Sequence, residues 1–376
     1  VAWSVMKGRT VTNVTGSYAN ARPLWRHTSK SAAEATMWMA QTTASGMVPW
    51  YHWLGGAPED QRWRETGRSF FQWHARHEAH FVNRRPLANL GVVFAQRTHA
   101  LHKAPGGGEA TEFLQGLYYA LLEGRFLFDF VHEDDLEPDT LKKYAALVLP
   151  NTAVLDTRQV GQLRQYVAAG GSLVATFEAG RPLAELFGIQ VAGAIEGPRG
   201  NSYYARIEQP HEIWQGFENT KVLPGAEYRL PVKASGKLLL SVVRPYPAYP
   251  PEMVYTETPR TDEPAIVVEE KGRSRLVYFP GDIDRAAWRS GNTDLSLLLQ
   301  NAVRWALRGQ APVSVTGDGM TELFAWETEP GYAVHILNYN NPNMTRGWLR
   351  RHYPLGPQRV RVEVAAGVRI RRVQAL

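Results

Sequence analysis

The stretch from Leu87 to Phe177 alternates short apolar runs with helix-length amphipathic segments, and this alternation restricts the fold more than any other feature of the chain. Ala88 to Ala95 is almost continuously apolar, as in a strand buried on both faces. Strand-like runs recur at Phe126 to Val131, Ala145 to Leu149 and Ser172 to Phe177. Helical stretches lie between them at Thr111 to Glu123, near Thr140, and at Thr157 to Ala168, with Gly170 and Gly171 as a left-handed stop. Strands and helices in this order imply a parallel sheet covered by helices. Arg181 to Phe187 reads as one more short helix. Between about 192 and 270 the pattern gives way to tyrosine- and proline-rich alternating segments, an inserted β segment. It returns with a strand at Arg275 to Phe279 and a helix at Asp294 to Leu307, so residues 85–311 read as one α/β domain.

The flanks differ. Residues 1–84 read as strand (Val11 to Val14), irregular loop (Gly16 to Lys30), helix (Ser31 to Ser45), short strand (Met47 to Trp50) and helix (Glu59 to His77). Ser31 and Glu34 have the spacing of a capping box. This βαβα pattern is too short for a parallel sheet of its own. Residues 312–376 carry strand signals only, at Val313 to Val315, Glu322 to Glu327 and Tyr332 to Asn338. At the end, Arg359, Arg361, Arg369, Arg371 and Arg372 alternate with Val360, Val362, Val368, Ile370 and Val373, as on a strand with one solvated face. That reading is preferred to a nucleic-acid surface, although the net charge is +6.

The 376 residues include no cysteine, which excludes disulfides, zinc–cysteine sites and a cysteine nucleophile. No apolar stretch is long enough for a membrane helix, so a soluble chain is expected. Val1 to Thr10 lacks an initiating methionine and an apolar signal core, so Val1 reads as a processed or truncated start, compatible with export directed by a leader upstream.

The loops after strands are where a parallel α/β architecture places its site. The loop after Val14 carries Tyr18, Arg22, Trp25, Arg26, His27 and Lys30, and that after Val48 carries Trp50, Tyr51, His52 and Trp53. Aromatic faces flanked by hydrogen-bond donors suit a sugar ring. The competing reading is plain packing, since twelve tryptophans in the chain make some clustering expected. Glycoside hydrolysis requires two carboxyl groups, and those nearby, Glu34, Glu59, Asp60 and Glu65, all sit in helices or at helix starts. No catalytic acid or base is assigned. His74, His77 and His80 are three apart and cannot all face one metal, so neither a metal nor another cofactor is expected. Gly106, Gly107 and Gly108 lack the dinucleotide spacing and read as a mobile loop. His132, Glu133, Asp134 and Asp135 either line a cleft or cap the following helix.

Lys143 to Asn151, Gln162 to Thr176, Val277 to Arg285 and the helix around Asn301 to Trp305 resemble the trimerisation domain of glycoside hydrolase family 42 β-galactosidases. That resemblance implies a flavodoxin-like, class I glutamine amidotransferase-like domain and a homotrimer. The amidotransferase relatives use a cysteine that this chain lacks. Trp25 to Thr28 through Trp50 to His52 resembles the last part of the (β/α)8 barrel of glycosyl hydrolases carrying this domain, similar in domain order to family 151 α-L-fucosidases. If Val11 to Val14 is barrel strand 7, the glutamate that family 42 places there is missing.

The expected architecture is therefore a barrel end (1–84), an amidotransferase-like trimerisation domain (85–311) with a β insertion at about 192–270, and a small antiparallel β domain (312–376). The expected function is hydrolysis of a galactosyl or fucosyl linkage by the intact protein, with this chain alone inactive. Trp25, Arg26, His27, Trp50, His52 and Trp53 would contact the carbohydrate. The alternative is a non-catalytic carbohydrate-binding or oligomerisation protein.

Overall fold

The computed structural model describes residues 2–6, 9–19, 25–55, 59–82, 84–329, 331–340, 349, 351–364 and 366–376. The chain divides into two compact units: Val1–Ala88 with Arg125–Leu127 and Pro312–Leu376, and Asn89–Gly124 with Phe128–Ala311.

The first unit begins with a single turn, α1 (Ala2–Val5), followed by β1 (Thr12–Gly16), β2 (Tyr18–Ala19) and β3 (Trp25–Ser29). Then come α2 (Ala32–Ala44), β4 (Val48–His52), α3 (Arg62–Arg76) and β5 (Arg85–Pro86). β1 and β4 pair in parallel, with Val14 opposite Trp50 and Gly16 opposite His52. The stretch expected as irregular loop instead contains the antiparallel pair β2–β3, because Tyr18 faces Ser29 in register. The expected capping box of α2 is not formed: Ser31 makes no side-chain cap, and Glu34 turns to Lys30 at 3.5 Å.

In the second unit β6 (Leu90–Phe94), α4 (Gln96–Leu101), α5 (Thr111–Glu123), β7 (Phe128–His132), α6 (Pro138–Leu141), β8 (Ala146–Leu149), α7 (Thr157–Ala168) and β9 (Ser172–Thr176) follow in order. The β excursion contributes β10 (Ile189–Val191), β11 (Tyr204–Ile207), β12 (Val222–Pro224), β13 (Val232–Ala234) and β14 (Leu240–Val243). β15 (Val267–Lys271), β16 (Ser274–Phe279), α8 (Ile283–Ser290) and α9 (Thr293–Ala306) complete the unit.

Its main sheet has the order β15-β16-β9-β8-β6-β7. The five strands β7, β6, β8, β9 and β16 are parallel, and β15 runs antiparallel at the edge. In order of appearance the parallel strands stand 2-1-3-4-5, with the chain reversing direction across the sheet between β6 and β8. Every residue of β8 and β9 is buried, β8 being apolar throughout and β9 apolar between Ser172 and Thr176. Leu147, Leu173 and Leu276 lie in register across three strands, and Leu147 and Leu173 pack with Phe113, Leu163 and Phe187 in one core.

α7 starts where Asp156 and Gln159 form a reciprocal capping box, and Gly170 at φ 105° follows its end. Arg181 to Phe187, expected as a helix, forms turns. Ile283 to Arg285, for which the sequence suggested no helix, opens α8. α8 lies directly against α5: a Cβ on Gly116 would stand 1.8 Å from the Asp284 carbonyl oxygen.

The chain then rejoins the first unit with β17 (Val313–Thr316), β18 (Thr321–Thr328), β19 (Gly331–Asn338) and β20 (Arg359–Val362). β18 pairs with both β19 and β5. Trp326 donates from Nε1 to the Ala44 carbonyl at 2.8 Å, and Arg84 lies 4.8 Å from the Trp326 ring. Val313, Val315, Leu323 and Ala325 share a small core with Ala88 and Leu127. The expected strand through Arg369 to Val373 is absent, and both the arginines and Val368, Ile370 and Val373 are exposed, so no apolar face is covered.

Candidate functional site

Parallel pairing puts the carboxyl ends of β1 and β4 side by side, and Ser17 fastens them by donating from both its backbone nitrogen and its hydroxyl to the His52 carbonyl (2.9 and 2.7 Å). The next residue, Tyr18, is buried and gathers the aromatic groups. His52 and Trp53 each meet its ring edge-on at 5.9 Å, and the Arg26 guanidinium stands 5.9 Å from its centroid. Trp50 meets His52 at 6.0 Å, and Trp53 stacks on Trp63 of α3 at 5.8 Å. Of the residues expected to contact sugar, Arg26, Trp50, His52 and Trp53 thus come together. Trp25 and His27 are exposed on β3 and make no ring contact with the cluster among the described residues. Arg22 lies outside the described residues.

Trp50 is 56% exposed and Trp25 60%, so two indole faces are open to solvent. Trp63 recurs with Gly67, Phe70 and His74 at helical spacing, which in the sequence reads as a packing face of α3 rather than as a site.

The carboxylates beside this cluster are committed to structural work. Asp60 accepts from Arg62 Nη2 at 2.6 Å and from the Ser29 backbone at 2.8 Å, while the Ser29 hydroxyl accepts from the Trp63 backbone at 3.1 Å. The Arg62 bond, reinforced by Ser29, holds the Asp60 carboxyl far below the usual range, so it serves as a clamp between β3 and α3 and cannot donate a proton near neutrality. Glu65 pairs with Arg68 at 3.1 Å.

His74 stacks on Phe81 at 4.9 Å and His77 meets Trp73 at 5.5 Å. Among the described residues no group of three or more acidic or histidine side chains could hold a metal ion. No described helix is long and apolar enough to cross a membrane.

The second unit has its own polar constellation, at the carboxyl ends of its parallel strands. His102 Nε2 lies 2.5 Å from Glu178 Oε1, and Arg181 Nε donates to the other oxygen of Glu178 at 2.9 Å. The Glu178 backbone donates to Asn151 Oδ1 at 3.1 Å, and Asn151 donates from its backbone to Thr176 Oγ1 at 2.9 Å. The Thr176 hydroxyl donates to Asp284 Oδ2 at 2.6 Å. Burial raises the Glu178 carboxyl, but the bonds from His102 and Arg181 outweigh it and leave a net lowering. Burial pushes Asp284 up to about 7 and Asp282 up to about 6, the latter despite its ion pair with the equally buried Arg285 at 2.6 Å.

Asn151 and Phe177, each just past the end of one of two adjacent strands, have φ of 37° and 50°. Such strain gathers at functional positions. Yet the elbow after β9 carries a buried phenylalanine stacked on Phe113, and no nucleophile. This constellation was not legible in the sequence, since His102 and Glu178 lie 76 residues apart.

Two local sequence readings resolve here. Glu133 accepts from the Arg97 backbone at 2.8 Å at the start of α4 and Asp134 pairs with Arg97 at 3.2 Å, so the acidic run secures α4. In the glycine loop Arg289 donates to the Gly107 carbonyl at 2.6 Å, and a Cβ on Gly106 would collide with the Tyr228 hydroxyl.

A 2-1-3-4-5 parallel sheet with polar groups at its carboxyl edge defines the second unit as a flavodoxin-type α/β domain, of the glutamine amidotransferase-like class. Residues 92–306 match the family model described as ThuA, trehalose utilisation, and the chain belongs to that family. No curated protein sequence matches it.

Among solved structures, alpha-L-fucosidase isoenzyme 2 from Paenibacillus thiaminolyticus superposes with a TM-score of 0.69 at 20% identity, over 94% of this chain and 54% of that one. The beta-galactosidase from Bacillus circulans sp. alkalophilus gives 0.69 at 14% identity, over 90% and 50%. That from Rahnella sp. R3 gives 0.66 at 15%, over 90% and 51%. The chain is similar to these proteins in fold and spans about half the length of each.

Proposed function

We propose that this chain is the C-terminal part of a glycoside hydrolase that cleaves a galactosyl or fucosyl linkage. In this reading residues 1–84 are the end of a (β/α)8 barrel, residues 85–311 a trimerisation domain and residues 312–376 a small antiparallel β domain. The observation that carries it is the aromatic cluster around Tyr18 at the carboxyl ends of the parallel pair β1–β4, where a barrel builds its site. The fold likeness to a fucosidase and to β-galactosidases supports the same reading. Trp50 and Trp53 would stack on a sugar face, Arg26 and His52 would bond its hydroxyls, and Trp25 and His27 would close the rim. The acid and the nucleophile would come from other parts of the intact enzyme, since Asp60 is locked in its clamp. Three copies would associate through the second unit.

Thermal unfolding with and without galactose or L-fucose tests the site. Either sugar should raise the midpoint, and Trp53→Ala should abolish the rise. No rise with either sugar, or a rise unaffected in Trp53→Ala, would overturn the assignment of these residues. Nitrophenyl galactosides and fucosides should not be turned over by this chain alone; turnover that survives repurification and is lost on changing Glu34 or Glu59 would refute the missing-carboxylate argument. Light scattering showing a monomer at high concentration would count against the trimer.

A further inference from the structure

Exposed apolar side chains of the second unit are concentrated in one place. Tyr249, Met253, Val254 and Tyr255 lie on the loop between β14 and β15, with Tyr249 79% and Tyr255 58% exposed. Elsewhere among the described residues of the unit, only Leu101 and Val222 are large, apolar and exposed. The loop is pinned at both feet. Tyr246 stacks on Tyr204 at 5.9 Å with the rings 9° apart, and the Asn201 side chain donates to the Tyr246 and Pro247 carbonyls, both at 3.3 Å. At the other foot the Thr261 hydroxyl donates to the Val242 carbonyl at 2.6 Å. Between them Pro245, Pro247, Pro250 and Pro251 each fix a φ angle, so these side chains are displayed with little freedom left to lose on binding. Apolar groups gathered on such a segment mark a site of association.

The same loop is acidic. Glu252, Glu257 and Asp262 are exposed, and among the described residues none of them is paired with a cation. Arg260, the single cation of residues 245–262, stands 3.8 Å from Glu208.

The opposite composition follows β20. Residues 366–376 are exposed throughout and belong to no helix or strand. Arg361 pairs with Glu363 at 3.4 Å, but Arg369, Arg371 and Arg372 meet no carboxylate among the described residues. Extended, this stretch sends Val368 and Ile370 to one side and Arg369 and Arg371 to the other. It is a strand pattern that lacks an apolar surface bordered by acids, and the loop at 249–257 is such a surface. Every copy of the chain carries both halves.

We propose that residues 368–373 of one copy dock on the 249–257 loop of a second copy. Val368 and Ile370 pack on Tyr249, Val254 and Tyr255, while the long arginine stems reach past the backbone to bring their guanidinium groups to Glu252 and Glu257. A guanidinium over an exposed tyrosine ring adds to the attraction. The contact is heterologous, one loop to one arginine–valine segment. It depends neither on the glycosidase reading nor on the number of copies assembled.

Sedimentation velocity of the full chain over a concentration series tests it. Wild type should self-associate, and added sodium chloride should weaken the association. The loop reversal Glu252→Arg with Glu257→Arg, and separately the segment reversal Arg369→Glu with Arg371→Glu, should each weaken it by about tenfold or more, all four side chains being exposed. Both reversals in one chain should restore the association to within about threefold of wild type. If that chain fails to fold, the two singly reversed proteins serve instead: mixed, they should bind each other more tightly than either binds itself. A wild type that stays monomeric at every concentration, reversals that leave the association unchanged, or a loss that neither the combined chain nor the mixture recovers would overturn the proposal. Association unchanged by either reversal would sink the loop contact while leaving the trimer reading intact.

Discussion

The buried Asp284 carboxyl makes the second unit less stable as pH rises, and replacing it with asparagine should remove that dependence. The side chain is fully buried. It accepts the Thr176 hydroxyl and the Arg285 backbone N–H, at 2.6 and 2.9 Å, and among the described residues no cation is paired with it. Burial is the largest influence, and the nearby Asp282 adds to it, so the folded carboxyl stands at about 7 against 3.8 when unfolded. Between those values the folded protein binds a proton that the unfolded chain has released, so stability falls as pH rises through this window. Each pH unit there is worth roughly 1.4 kcal/mol, and the ionised aspartate costs the fold on the order of 4 kcal/mol at pH 8.

Asparagine is nearly isosteric and does not ionise. Its oxygen accepts the Arg285 N–H, and its amide can donate to Thr176 Oγ1 once that hydroxyl rotates. Urea unfolding followed by circular dichroism from pH 4 to pH 9 should therefore find Asp284→Asn within about 1 kcal/mol of wild type at the acid end. Toward pH 8 it should become more stable than wild type by about 3 kcal/mol. Asp282 titrates in both proteins and drops out of the difference to first order. A stability difference that stays flat from pH 5 to pH 8 would refute the reasoning, because a carboxylate already ionised in the fold at pH 5 leaves no such slope.

Three further outcomes are expected. Gly116→Ala drives a Cβ to 1.8 Å from the Asp284 carbonyl oxygen, where only helix separation gives relief, and should lower stability by about 2 kcal/mol or more in urea unfolding. Asp156→Ala removes the cap that accepts from the Gln159 backbone at 2.8 Å and should cost about 1 kcal/mol, with amide exchange accelerated in the first turn of α7. Arg285→Met leaves Asp282 without its buried partner and should cost about 3–5 kcal/mol, while adding Asp282→Asn should restore a large part of that loss in the same unfolding assay.

The parallel sheet was legible because its central strands β6, β8 and β9 are buried and therefore written as largely apolar runs, and because α5 and α7 carry a clear helical period. The end of α7 was bounded by the glycines at 170 and 171, while the Asp156–Gln159 capping box at its start was not read from the sequence. α8 escaped notice for the opposite reason. Asp282, Asp284 and Arg285 look like a solvated turn, yet all three are fully buried, and nothing in a linear sequence announces that charges will be paired in a core. The terminal arginine–valine alternation misled in the other direction, since a period of two needs a surface to pack on and Val368, Ile370 and Val373 have none. The aromatic cluster could be anticipated because Tyr18, Trp50, His52 and Trp53 lie within forty residues and straddle two strand ends. The His102–Glu178 contact, 76 residues apart in the chain, has no such proximity and exists only through the sheet order.

The pair β1–β4 bears on the glycosidase reading independently of any likeness. Parallel strands are normally covered on both faces, and an isolated two-stranded ribbon is marginal in water. Here Val14 and Val48 are 51% and 49% exposed, and Trp50 beside them is also open. Two parallel strands whose side chains are apolar on an uncovered surface have the composition of a sheet with more neighbours than β1 and β4 give each other. The barrel proposed above would supply such neighbours and bring further strand ends, with their side chains, around Tyr18. The elbow after β9 makes the complementary point within the second unit: its left-handed backbone is retained, but the residue on it is Phe177, packed into the core.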